Sequence, residues 1–137
     1  MSHDKLDLTQ LDKAICRLQE GLARYQLDVT DTQIRDGLIQ RFEFTYEISH
    51  KMLKRFLKAT SASPLEFDGM NFQDLIRTAN ERDLLLSDWP QWKGYRDMRS
   101  KTSHTYNEDV ALEVVAGIPG FLEEAVHLQK RLHERQA

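Results

Sequence analysis

Ile34-Arg-Asp-Gly-Leu38-Ile-Gln-Arg-Phe42-Glu-Phe-Thr45-Tyr-Glu-Ile48-Ser-His-Lys-Met52-Leu-Lys-Arg-Phe56 is the stretch on which the fold turns. The numbered positions recur at spacings of four, four, three, three, four and four, which draws a stripe along an α-helix. The pattern predicts a helix from about Thr32 to Ala59, roughly 40 Å long at ~1.5 Å per residue. Upstream, Leu11, Ile15, Leu18, Leu22 and Tyr25 repeat the pattern between Thr9 and Leu27, with no period-two component. Thr9 reads as the N-cap of this first helix, with Asp12 in the acidic place of a capping box. Asp28-Val-Thr-Asp-Thr32 is rich in turn formers, so the two helices should pack antiparallel.

Downstream, Thr60 to Met70 reads as a loop punctuated by Pro64 and Gly69. Asn71 is placed to cap a third helix that turns Phe72, Leu75, Ile76 and Ala79 inward. Asp88 caps a fourth, with Pro90 in the first turn, where a missing N–H is harmless. This helix carries Trp92, Tyr95 and Met98 and should run to about Ser103 or Tyr106. Asn107-Glu-Asp109 caps a fifth, marked by Val110, Val114, Ile118, Phe121, Ala125, Leu128 and Leu132. Pro119, between Gly117 and Gly120, should kink or split it. The expected architecture is all-α: an antiparallel bundle of about five helices in one domain spanning 1–137.

Composition narrows the function classes. The chain has 137 residues, 40% hydrophobic and 30% charged, with six Gly and three Pro, which excludes fibrous, low-complexity and wholly disordered classes. No apolar run reaches the ~18 residues of a membrane span, and Met1 to Gln10 lacks the apolar stretch of a secretory signal. One cysteine, Cys16, cannot form an internal disulfide, which points to a reducing, cytoplasmic setting and to a small buried filler. A formal charge of −3 removes any whole-chain attraction for nucleic acid, so phosphate binding needs a local basic patch.

Phosphate-loop, dinucleotide and zinc-site signatures are absent from the sequence, and no cofactor or metal is implied. His127 and His133 read as a solvated face sooner than a metal pair, and His50 as structural or surface. The aromatics of Arg41-Phe-Glu-Phe-Thr-Tyr46 read as core. One segment is different: between Lys93 and His104 stand four fixed cations and one acid. Arg99 can grip phosphate oxygens through parallel hydrogen bonds, and His104 can move a proton near neutral pH. Tyr106 adds a phenol, while Arg96, Ser100, Lys101 and Ser103 supply further donors. Metal-free RNA cleavage requires such a set: a base for the 2′-OH, an acid for the leaving oxygen and a cation for the phosphorane.

At 100° per residue, Trp92, Arg96, Arg99, Ser103 and Tyr106 share about one third of the helix circumference, but His104 lies about 140° from Arg99. The two meet one phosphate only if the helix ends near Ser103 or a second copy contributes one of them. The plain alternative is a basic helix end paired with Asp97, Glu108 or Asp109.

Arg99-x4-His104-x-Tyr106 resembles the RX4–6H(XY) motif of HEPN-domain proteins. Together with Arg41-Phe-Glu-Phe-Thr-Tyr-Glu47 and Ser103-His-Thr-Tyr-Asn-Glu108, it resembles the branch of nucleotidyltransferase substrate-binding proteins associated with HepT toxins of HepT–MntA systems. The resemblance spans nearly the whole chain. It implies a helical bundle that pairs as a homodimer with both motifs at the interface, and catalytic roles for Arg99 and His104. It further implies an MntA-type nucleotidyltransferase antitoxin that adds AMP to Tyr106, and an RNA substrate such as a tRNA or mRNA. Many active members carry Asn, Asp or His after the motif arginine; Ser100 stands there instead, which bears on cleavage rate more than on fold. Three readings follow: an endoribonuclease toxin, a non-catalytic substrate-binding subunit of a two-component nucleotidyltransferase, and a structural helical dimer.

Overall fold

The structure is a computed structural model that describes residues 5–136; the reading of the N-terminus rests partly on residues 1–4, outside this range. Five helices follow in order: α1 (Thr9–Leu27), α2 (Thr32–Ala59), α3 (Phe72–Glu81), α4 (Trp89–Lys101) and α5 (Glu108–Gln136). Single 3-10 turns interrupt the connections at Pro64–Phe67 and Thr102–His104. No strand occurs among the described residues.

Side chains with short polar reach start most of these helices. Asp31 accepts the N–H groups of Gln33 and Ile34 at 3.0 Å, and Asn71 accepts that of Asp74 at 2.8 Å. Asp88 accepts from Trp89 at 2.7 Å, and Asn107 from Asp109 and Val110 at 3.0 and 3.2 Å. Each bond satisfies a donor that the first turn leaves orphaned. The start of α1 differs from expectation. Thr9 lies inside the helix and donates its N–H to the Asp7 carboxylate at 2.9 Å, and the N-cap position is Leu8. Asp12 forms no capping box; it faces α5, accepting from Gln129 at 2.8 Å and meeting His133 at 2.8 Å.

Paired contacts fix the helix directions. Arg41 donates to the Arg17 carbonyl at 2.7 Å and Thr45, one turn on, to the Ala14 carbonyl at 3.3 Å, so α1 and α2 run antiparallel; a Cβ on Gly21 would lie 3.1 Å from Arg41 Cδ, which marks the close range. The Asp12 contacts and the Leu6–Gln136 backbone–amide pair, at 2.7 and 3.0 Å, set α5 antiparallel to α1. Against α4, Met98 lies over Gly117, Tyr95 approaches Gly120, and Lys101 reaches Glu113. A Cβ at Gly117 would meet Met98 Sδ at 2.5 Å, so a side chain there would push the flexible end of Met98 aside. Of the kink or split expected at Pro119, the split does not occur: α5 continues through it.

The core joins all five helices around Phe42, Trp92 and Phe121, each fully buried; the Phe42 and Phe121 rings meet edge to face at 5.0 Å. Two expectations fail here. Phe44 is 53% exposed, because it stands 200° from Phe42 around the helix and so faces away from the stripe. Cys16 is exposed beside Glu20 rather than buried, since it lies off the α1 stripe. No helix is long and apolar enough to cross a membrane among the described residues.

Candidate functional site

The last turn of α4 is built around Arg99. Its Nε donates to Glu47 Oε1 at 3.2 Å and one terminal nitrogen hydrogen-bonds the same carboxylate. The other terminal nitrogen donates to Thr102 Oγ1 at 3.1 Å and lies 3.5 Å from Glu43 Oε2. Thr102 is buried, and its hydroxyl lies 2.6 Å from Glu43 Oε2. Glu43 and Glu47 are one turn apart on α2, so both carboxylates project from one face towards α4. The hydrogen-bonded carboxylate of Glu47 raises the Arg99 pKa further above its ordinary value, against the opposing effect of desolvation, and the charge of Glu43 adds to the rise. Next to them, burial pushes the Tyr46 phenol up to about 12, against the opposing pull of Arg96 and Arg99.

Where the sequence expected α4 to run on to Ser103 or Tyr106, it ends at Lys101 and tightens into the 3-10 turn Thr102–His104. The shared helical face predicted for Trp92, Arg96, Arg99, Ser103 and Tyr106 therefore breaks up after Lys101. Trp92 is fully buried whereas Tyr106 is 88% exposed. His104 is exposed on the turn; its ring meets that of Tyr106 edge to face at 6.3 Å between centroids and has no hydrogen-bond partner among the described residues. The Asn107 cap fixes where α5 begins, and Arg35 grips Glu108 with two hydrogen bonds of 2.6 and 3.1 Å. The segment bearing His104 and Tyr106 is thus pinned at both ends; between them the Asn107 N–H donates to the His104 carbonyl at 3.2 Å, while the His104 and Tyr106 side chains project outward.

The remaining predicted donors are dispersed. Lys101 is paired with Glu113 at 2.6 Å, and Ser100 turns its hydroxyl back to the Arg96 carbonyl at 3.2 Å. Ser103 is exposed and reaches the Ser100 carbonyl at 3.4 Å. Arg96 lies over the Trp89 ring, 5.0 Å from its centroid. Within one chain no hydrogen bond links Arg99 with His104. The pairing of Arg99 with Asp97, Glu108 or Asp109 is not what forms: its acids come from α2, and Glu108 belongs to Arg35.

Glu43, Glu47 and Thr102 are the site residues to which the sequence reading gave no role, although both acids lie within the Arg41–Glu47 stretch. Their signal was an acid pair at i and i+4 flanking the aromatics of α2, a pair that needs a cation on a neighbouring helix. His133 pairs with Asp12 near the C-terminus of α5, His127 is half-buried instead of lying on a solvated face, and half-buried His50 packs on Phe72 at 4.7 Å. No group of three or more metal-ligating side chains occurs among the described residues.

Residues 6–134 match the family described as nucleotidyltransferase substrate binding protein like. A Haemophilus influenzae protein named probable ribonuclease HepT is 38% identical over 143 aligned residues, covering 98% of this chain and 97% of its own. A solved Haemophilus influenzae structure, described as revealing the fold of a substrate binding domain of a nucleotidyltransferase, superposes with a TM-score of 0.86 at 34% identity. That match covers 93% of this chain and 99% of the other.

Proposed function

Because the chain belongs to the nucleotidyltransferase substrate binding protein-like family, we propose that it is a cytoplasmic, metal-independent endoribonuclease toxin whose partner is an MntA-type nucleotidyltransferase. Arg99 binds the scissile phosphate and stabilises the charge of the phosphorane. His104 moves the proton. The 2′-oxygen loses its proton to a base and bonds to phosphorus; the P–O5′ bond breaks, and the leaving oxygen takes a proton from an acid. The products are a cyclic phosphate and a free 5′-hydroxyl. One chain brings a single exposed imidazole to this turn, so base and acid come from the two His104 residues of a homodimer. Addition of AMP to Tyr106 places bulk and negative charge where RNA phosphate must sit, which silences the site.

The observation that carries this reading is the contrast on one short segment: an arginine held by three side chains, followed by an exposed imidazole and phenol that touch each other and make no side-chain hydrogen bond among the described residues. Expression of the chain alone should arrest growth and degrade RNA, and His104→Ala should abolish both while keeping the helical fold. If His104→Ala cuts RNA like the wild type, the assignment fails. A second reading, the non-catalytic substrate-binding subunit, is favoured by one observation: Ser100 bonds the Arg96 carbonyl and leaves Arg99 to the α2 acids. Well-expressed wild type that leaves RNA intact, yet binds the nucleotidyltransferase, would select it.

A further inference from the structure

Between α2 and the start of α4 lies a strip of surface that the chemistry above does not use. The half-buried His50 ring packs on Phe72 at 4.7 Å, and Phe72 packs on Trp89 at 5.8 Å, also half-buried. The Arg96 guanidinium lies 5.0 Å from the Trp89 centroid, and Lys54 stands beside His50. Trp89, Arg96 and Arg99 fall within about 80° of one another around α4, so the strip leads along one side of that helix to Arg99. By helical rise, Trp89 and Arg99 are roughly 15 Å apart. Aromatic rings flanked by cations are what single-stranded nucleic acid uses: each base has a face to stack, and each phosphate needs a positive charge.

We propose that this strip, with Trp89 as its stacking platform, binds the single-stranded RNA that flanks the phosphate held at Arg99. A base replaces Arg96 over the Trp89 ring, since stacking of a base on an aromatic ring is the stronger of the two contacts. The freed Arg96 guanidinium and Lys54 then take the neighbouring phosphates, one from each side. A-form duplex is excluded, because its bases are not splayed to reach a ring. The inference rests on RNA being the substrate, but not on cleavage itself.

The two properties separate experimentally. The probe is a short 2′-O-methyl oligoadenylate, which has no nucleophile, titrated into the otherwise intact His104→Ala chain. Trp89 and Trp92 are the two tryptophans, and Trp92 is fully buried, so quenching on binding reports Trp89. We expect quenching that follows binding measured by anisotropy. Trp89→Ala should weaken binding about tenfold; Trp89→Phe, which keeps the packing on Phe72, should bind without quenching. Arg96→Glu, at an exposed position, and Lys54→Glu, at a half-buried one, should each weaken binding and flatten its salt dependence. Binding with unchanged emission, equal affinity for a duplex of the same chemistry, undiminished affinity in a folded Trp89→Ala chain, or no binding would each overturn the proposal. Failure of the wild type to cut RNA would sink the nuclease reading and leave these binding outcomes to decide the strip.

Discussion

Arg99 and His104 stand five residues apart and live under opposite physical rules. The arginine spends its donors on two carboxylates and a buried hydroxyl, reached across from another helix. The imidazole sits on a tight turn, exposed and unpartnered among the described residues. A guanidinium has five N–H donors in a rigid fork. Three are engaged here, which leaves two for a phosphate, the number a bidentate grip takes. The fold fixes one group and leaves the other in water, which is the division the proposed cleavage asks for: a phosphate grip that is aimed and an imidazole that exchanges protons.

Exchanging each for alanine should break the comparison along different axes. His104→Ala should lower RNA cleavage by about 10²- to 10⁴-fold, with a thermal midpoint unchanged, because its exposed side chain meets only the exposed Tyr106 ring among the described residues. Arg99→Ala should lose cleavage similarly and also lower the midpoint, since it strands Glu43 and Glu47 facing each other beside buried Thr102. The stability loss should be about 1 kcal/mol, the pair being half open to solvent. Equal thermal midpoints for the two variants would dissolve the distinction.

Next in size is a pH effect at the same place. The folded-state pKa of Tyr46 is raised to about 12, against ~10 for an unfolded tyrosine. A raised pKa gives stability that is fully present below pH ~10 and is lost as pH rises towards about 12. Tyr46→Phe cannot ionise, so it should resist alkaline unfolding better than the wild type in that window and match it near neutrality. Denaturant melts at both pH values measure this. Parallel pH profiles would mean that the phenol is solvated and the wall behind Arg99 looser than described.

A subtler change acts on the aim of Arg99 alone. Glu47→Gln keeps an acceptor for Nε and removes the charge. Cleavage should fall about tenfold, with a stability change within about 1 kcal/mol. A faster variant would show that Glu47 blocks Arg99 instead of aiming it.

How much of this could be read in advance follows from the range of each interaction. The helices were legible because their stripes are local: the α2 spacing alone sets which side of Phe42 and Met52 meets the core. Caps such as Asn71, Asp88 and Asn107 were legible for the same reason, acting within three residues. Thr9 misled because two neighbouring groups compete: the Asp7 carboxylate takes the helix start, and Asp12 finds partners on α5. Phe44 and Cys16 were judged by residue type where the helical angle decides. Spacing picked out Arg99, His104 and Tyr106 as candidates, but no local spacing ties Arg99 to the acids that hold it. Glu47 is 52 positions away, and only the antiparallel seating of α4 on α2 brings it within reach. Nor does any local pattern say that α4 stops at Lys101, since Ser103 to Tyr106 carries no helix breaker.

The smallest expected effect tests the exposed half of the comparison most sharply. Tyr106 is 88% exposed, and its only ring contact among the described residues is the edge of His104. Tyr106→Phe removes one hydroxyl that the fold does not use, so stability should change by less than about 0.5 kcal/mol. RNA cleavage should stay within about twofold if the phenol takes no part in proton transfer. What the variant lacks is the oxygen that would bond to phosphorus when the partner adds AMP. With the nucleotidyltransferase co-expressed, wild-type cells should recover growth and their purified chain should gain the mass of AMP. Tyr106→Phe cells should stay arrested, with no mass added. If instead they recover, the partner silences the chain by covering it, and the exposure of Tyr106 serves docking rather than chemistry.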